Sequence, residues 1–124
     1  MALFQLVKPD IAVDIGTNNT RVYVKEKGIV VNEPSVVIVR GDDTRKIIAV
    51  GDSAEEMIGR SAANIRIVHP LRDGVIVDYE MAQVMIHYFV SKAIGVRHFA
   101  RPRMVVTMPG EVSKVERRAV INAM

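Results

Sequence analysis

Ile11-Ala12-Val13-Asp14-Ile15-Gly16-Thr17-Asn18-Asn19-Thr20 is the stretch on which the fold turns. An apolar run carrying one buried-looking carboxylate ends in a small turn rich in hydroxyls and amides. Arg21-Val22-Tyr23-Val24-Lys25 follows at once as a second strand-like run. The pattern predicts a hairpin whose tip holds phosphate. Gly16 admits close approach of the backbone to an anion. The N–H groups of Thr17, Asn18 and Asn19 can form a concave nest of donors, with side-chain hydroxyls and amides beside them. Asp14 closes the first strand, where it can hold a hydrated Mg²⁺ against those phosphates. Gly-Thr-Asn-Asn is equally ordinary hairpin-turn chemistry, since Gly and Asn tolerate positive φ. An Asp within an apolar strand needs a partner if it is buried.

The 124 residues fit one domain, and 49% of them are apolar, enough for a core. No cysteine is present, which excludes disulfides and thiolate metal sites. His69, His87 and His98 are scattered without metal-ligand spacing. The net charge of +3 is modest, and its basic residues are spread apart from a cluster at Arg97 to Arg103. Nothing resembles a basic stripe interleaved with aromatics, so no nucleic-acid partner is expected. No apolar run approaches the roughly 20 residues of a spanning helix. The first eight residues lack a basic leader and are too short for a secretory core, which predicts a cytoplasmic protein. Met1, Leu3, Phe4, Leu6 and Val7 make that start apolar, an edge strand or a small interfacial helix with weak membrane contact.

Further along, Glu26-Lys27-Gly28 predicts a turn and Gly28–Asn32 a third strand stopped by Pro34. Three meandering antiparallel strands therefore open the chain. Ser35–Arg40 and Lys46–Val50 are strand-like around the Gly41–Thr44 turn. Asp52 or Ser53 is expected to cap a short helix that ends at Gly59. Ile65–Val68 alternates and stops before Pro70. Residues 35–68 thus read as a small α+β insertion. Leu71–Val77 leads into a helix with Asp78 as N-cap, Met81, Met85, Tyr88, Phe89 and Lys92 at helical spacing, and Gly95 as its end. Met104–Met108 is expected to be a buried strand. Ser113-Lys114-Val115-Glu116 is a capping-box pattern, opening a helix with Val115, Ala119 and Ala123 on one face. That helix lacks the signals of a natural stop, so the chain is expected to be cut there.

The order strand, Asp14–Thr20, strand and Gly28–Val37, then Pro70–Glu80 and Val115–Val120, resembles MreB, the bacterial actin homologue, and its paralogue Mbl. The first motif alone would fit any actin, Hsp70 or sugar-kinase relative. Asn32-Glu33-Pro34-Ser35-Val36-Val37 and Pro70-Leu71-Arg72-Asp73-Gly74-Val75-Ile76 are more specific. The resemblance implies an α/β fold, the partial first lobe of an actin-like (ribonuclease H-like) ATPase. Residues 1–34 and 69–124 would form an incomplete subdomain IA, and residues 35–68 the IB insertion with its longitudinal filament contacts. It implies ATP and Mg as cofactors, with Asp14, Gly16, Thr17, Asn18 and Asn19 as the first phosphate loop. It implies filaments of self, lying on the inner face of the cytoplasmic membrane and working with the cell-wall elongation machinery. Leu3, Phe4, His98 and Phe99 would touch the bilayer, although the residues around Phe99 fit a ring tucked into the core equally well, and the helix from Lys114 would lie between protofilaments.

Two departures stand out. Asn18 occupies a position where the family usually has a small residue, often alanine. The second phosphate loop, the adenosine pocket and the acid that positions water would all lie beyond Met124. This chain alone is therefore expected to bind ATP weakly, to hydrolyse it negligibly, and to leave the Met104–Met108 strand as an exposed edge. Two other classes compete: a nucleotide-binding lobe of the Hsp70 or sugar-kinase kind, and a lipid- or partner-binding module using Leu3, Phe4 and Phe99.

Overall fold

The structure, a computed structural model, describes residues 10–60, 64–95 and 103–107. Leu3, Phe4, His98, Phe99 and the expected helix from Lys114 lie outside the described residues. In chain order the elements are β1 (Asp10–Ile15), β2 (Asn19–Val24), β3 (Gly28–Pro34), β4 (Val37–Arg40), β5 (Asp43–Val50), α1 (Asp52–Ile58), β6 (Ile65–Val68), β7 (Leu71–Arg72), β8 (Val75–Ile76), α2 (Tyr79–Ile94) and β9 (Arg103–Thr107). This is the mixed α/β pattern expected. β1, β2 and β3 form the antiparallel meander, and β9 joins it parallel to β1, giving the order β3-β2-β1-β9.

Side-chain alternation sets the two faces of this sheet. Ile11, Val13 and Ile15 of β1 point inward with Thr20, Val22 and Val24 of β2, and all are buried. α2 covers that face with Met81, Ala82, Met85, Ile86, Phe89 and Val90. Phe89 is fully buried, which contributes about 1.5–3 kcal/mol. The helix starts where Asp78 accepts from the Met81 amide at 3.0 Å and stops at Gly95, whose φ is 83°. Both ends were legible. A bulge at Val30 shifts the β2–β3 register, so Tyr23 faces Ile29 while Val22 faces Val31.

The opposite face lies open among the described residues. Asp14, Asn19, Arg21 and Asn32 occupy its end nearest the β1–β2 loop, and Ala12, Tyr23 and Ile29 the rest. Asp14 is therefore exposed, not buried: it falls on the outward phase of β1. β9 is likewise only half buried. Met104 and Val106 pack toward α2, while Val105 is 66% exposed on the open face.

The smaller sheet has the order β5-β4-β6. β4 is buried on both faces, which explains its unbroken β-branched run. Ile38, with Val36 and Ala49, packs on Ala54 of α1, while Val37, Val39 and Val50 join the main core. The cap of α1 is not the one expected. Gly51, with φ 67°, is the N-cap and has no side chain with which to cap the helix. Asp52 is the first helical residue, and its amide donates to Glu33 Oε1 at 3.0 Å. Glu33, buried on β3, also accepts from Lys92 Nζ of α2. One carboxylate thus replaces the local cap and joins three elements. A Cβ at Gly51 would collide with that carboxylate and with the Phe89 ring.

Residues 71–77 form more than an approach to α2. Asp73 and Gly74, with φ 52° and 77°, make the two-residue turn of a short hairpin, β7 with β8.

Candidate functional site

The β1–β2 loop is closed by the Ile15–Thr20 pair. None of residues 16–19 has a positive φ, so the loop is not the turn in which Gly and Asn serve for left-handed backbone. Inside it the Gly16 amide donates to the Asn19 carbonyl at 3.0 Å. A Cβ on Gly16 would stand 2.6 Å from that oxygen. The loop's own closure therefore requires glycine, a reason the sequence did not disclose.

Two distant segments brace the loop. The Ser35 amide donates to the Asn18 carbonyl at 2.9 Å, and Ser35 Oγ donates to the Gly16 carbonyl at 2.7 Å. Thr20 Oγ1 lies 2.8 Å from Ser35 Oγ in a buried contact. From the other side the Gly74 amide donates to Thr17 Oγ1 at 2.8 Å. A hydroxyl that accepts there still has its own proton to give. The loop's carbonyls at Gly16, Asn18 and Asn19 are thus turned into protein hydrogen bonds. By contrast, the N–H groups of Thr17 and Asn18 have no acceptor among the described residues. This segregation of engaged acceptors from free donors suits an anion.

Thr17, Asn18 and Asn19 line one cleft of about 310 Å³. Its other walls are Pro34, Ser35 and Val36, the α1 residues Glu55 and Ile58, and His69. Asp14 does not share it. It lies with Arg21 and Thr107 in a shallower depression of about 190 Å³ on the open sheet face. Its Oδ1 accepts from Thr107 Oγ1 at 2.9 Å, and its Oδ2 is 4.0 Å from Arg21 Nη1.

The donor set fits a hard cation held loosely. Among the described residues no three His, Cys, Asp or Glu side chains gather as a protein-only metal cage. A single exposed carboxylate at a strand end is what Mg²⁺ uses when waters and phosphate oxygens complete its shell. Asp14 is therefore compatible with a hydrated Mg²⁺ carried in by a phosphate ligand.

Ser35, Gly74, Arg21 and Thr107 went unnoticed as site residues. Ser35 carried a signal, a hydroxyl directly after a strand-ending proline. Gly74 and Thr107 reach the site only through strand pairing and chain return, which no local pattern reveals. Leu3, Phe4, His98 and Phe99 fall outside the described residues.

Comparison with known proteins agrees with this architecture. The sequence profile of the MreB/Mbl protein family matches residues 8–124. The chain is similar to the cell shape-determining protein Mbl of Bacillus cereus, 43% identical over 114 residues, which are 92% of this chain and 34% of that protein. It is similar to the cell shape-determining protein MreB of Escherichia coli K12, 42% identical over 116 residues, 90% of this chain and 33% of that protein. The crystal structure of MreB5 of Spiroplasma citri bound to ADP superposes with a TM-score of 0.78 at 35% identity, covering 94% of this chain and 34% of that one. The chain thus spans about a third of the length of the curated relatives it matches. Its fold is accordingly part of an actin-like lobe. With a profile running from residue 8 to residue 124 and relatives at 42–43% identity, the chain belongs to the MreB/Mbl family.

Proposed function

We propose that this chain is the N-terminal part of a cell-shape-determining, actin-like cytoskeletal protein whose first phosphate loop, Gly16 to Asn19, binds the phosphates of ATP. The observation that carries this reading is the loop itself: carbonyls held by Ser35 and by the Gly16 amide, with the Thr17 and Asn18 amides left to donate. The Spiroplasma citri MreB5 structures bound to ADP and to AMPPNP support it by likeness. Mg²⁺ would lie against the phosphates through water on Asp14, supplying positive charge there when bound. Residues 1–34 and 69–124 would be subdomain IA, and 35–68 the IB insertion, since β4–β6 and α1 form their own small sheet and cluster. The complete protein would polymerise into filaments on the inner face of the cytoplasmic membrane, alongside the cell-wall elongation machinery. Leu3, Phe4, His98 and Phe99 would make the bilayer contact.

No catalytic residue is assigned within this stretch. Phosphoryl transfer needs groups placed on several sides of the phosphate, and this loop supplies one. The chain alone should therefore bind Mg-ATP weakly and turn it over negligibly.

Titration of ¹⁵N-labelled chain with Mg-ATP tests the loop reading. Amide shifts centred on Thr17, Asn18 and Asn19 are expected, with millimolar affinity. Unmoved loop amides at saturating nucleotide would overturn it, and micromolar affinity by calorimetry would overturn the expected weakness. Co-sedimentation with anionic liposomes, wild type against Phe99→Ala, tests the membrane contact. Equal pelleting of the two removes Phe99 from it.

A further inference from the structure

We propose that Arg21 is a built-in counter-ion of the site, sharing the Asp14 carboxylate with any divalent cation and so lowering the dependence of phosphate binding on that cation. The inference rests on the phosphate-loop reading above and adds to it a residue that sets metal requirement.

Its ground is the register of the open face. Asp14 lies directly opposite Arg21 across β1–β2 and directly opposite Thr107 across β1–β9. The neighbours divide the carboxylate between them. Thr107 Oγ1 donates to Oδ1 at 2.9 Å, and the Arg21 guanidinium stands 4.0 Å from Oδ2. A cation approaching Asp14 meets an oxygen already facing positive charge.

The arrangement is loose enough to exchange. The side chains of Arg21 and Asp14 are 54% and 58% exposed, and their separation is at the outer limit of an ion pair. Arg21 is therefore tethered near Asp14 without being locked to it. Beside it, Asn19 Nδ2 donates to Asn32 Oδ1 at 3.4 Å, and Asn32 is itself the cross-strand neighbour of Arg21. Charged and amide groups thus cluster at the loop end of the face, while Ala12, Tyr23 and Ile29 are apolar beyond them.

Guanidinium chemistry supplies the rest. Arg21 offers five donors in a planar fork. That fork matches phosphate as well as carboxylate. Mg²⁺ has to reach Asp14 through its water shell and uses phosphate oxygens to complete it. With Arg21 present, Asp14 is partly neutralised before the metal arrives, and an incoming anion finds a cation two residues along β2 from Asn19. With Arg21 removed, the carboxylate keeps the Thr107 hydroxyl but loses its cation: it attracts the metal more strongly and repels an unaccompanied anion.

The experiment uses the ¹⁵N-labelled chain, with Arg21→Leu, Arg21→Lys and the control Asp14→Asn. Mn²⁺ alone is titrated first, read as paramagnetic broadening at Ile15 and Thr107. Inorganic pyrophosphate follows, with and without Mg²⁺, read at the Thr17, Asn18 and Asn19 amides. Arg21→Leu should need about twofold to fivefold less Mn²⁺ for equal broadening, the range an exposed ion pair supplies. It should also lose pyrophosphate affinity without Mg²⁺ and recover it with Mg²⁺. Arg21→Lys should fall between Arg21→Leu and wild type, and because it keeps the charge it guards against a folding defect in the leucine variant. Asp14→Asn should abolish the broadening.

Identical Mn²⁺ and Mg²⁺ dependence in wild type and Arg21→Leu overturns the proposal. Should pyrophosphate move no loop amide in any of these proteins, the phosphate reading fails. The Mn²⁺ arm then still decides whether Arg21 and a cation share Asp14.

Discussion

The Gly74 amide donates to the Thr17 hydroxyl at 2.8 Å, a bond that fastens the β1–β2 loop to the turn of the β7–β8 hairpin. Thr17→Val keeps the shape of the side chain and removes the acceptor. A part-buried donor is then stranded, which should cost about 1 kcal/mol. Urea denaturation measures the loss, and Thr17→Ser should restore most of it. If the valine variant matches wild type in midpoint, the bond contributes nothing to the loop.

Gly16→Ala should be the more damaging change in the same loop. Its methyl would meet the Asn19 carbonyl, a backbone atom that cannot swing aside. The loop must open, at about 1–3 kcal/mol for overpacking. Loss of the nucleotide-induced shifts at Thr17 and Asn18, with α2 amides unchanged, is the expected spectrum. Unaltered shifts with alanine in place would show that the close approach is dispensable.

Lys92 gives the fold a pH dependence at the alkaline end. Its hydrogen bond to Glu33 raises its pKa above the ordinary 10.5, with partial burial opposing and the Glu33 charge adding to the rise. A raised pKa means stability that is fully present below the unfolded value and lost as pH climbs through the folded one. Wild type should therefore weaken above pH 10.5 in a window where Lys92→Met does not. At pH 7 the methionine variant should be less stable by about 1–3 kcal/mol, because it leaves a buried carboxylate without its cation. Parallel alkaline titrations of the two proteins, followed by circular dichroism, decide the matter. Curves that fall together above pH 10.5 would remove Lys92 as the cause.

These outcomes bear on what local sequence could reveal. Features written within one element were legible: the alternation of β1 and β2, the Asp78 cap and the Gly95 stop. Asp73-Gly74 carries an Asp-Gly turn signal, but reading residues 71–77 only as an approach to α2 misses the hairpin. What escaped were bonds made across the chain. Glu33 keeps the inward phase of Val31, yet nothing near it says that its partners are Asp52 and Lys92. Asp14 interrupts an apolar run, and only strand alternation, read through to the open face, explains why it is exposed. The Gly16–Asn19 closure depends on backbone geometry that residue types alone do not specify.

Val105 offers a test of the open face. It stands 66% exposed on β9, opposite Ala12. Exposed apolar residues near a sheet edge invite association. Val105→Lys should lower light scattering at high protein concentration, with stability changed by no more than about 0.5 kcal/mol, as for an ordinary surface site. Equal scattering in both proteins would acquit this face.

The bracing of residues 16–19 by Ser35 and Gly74 has a consequence for biosynthesis. On the ribosome the β1–β2 hairpin is made before either fastening, and Gly74 follows Thr17 by 57 residues. Nascent chains arrested before Gly74 leaves the exit tunnel should keep that bend open to protease, and chains arrested well beyond it should not. β1 and β2 are thus complete well before the bend between them is fixed.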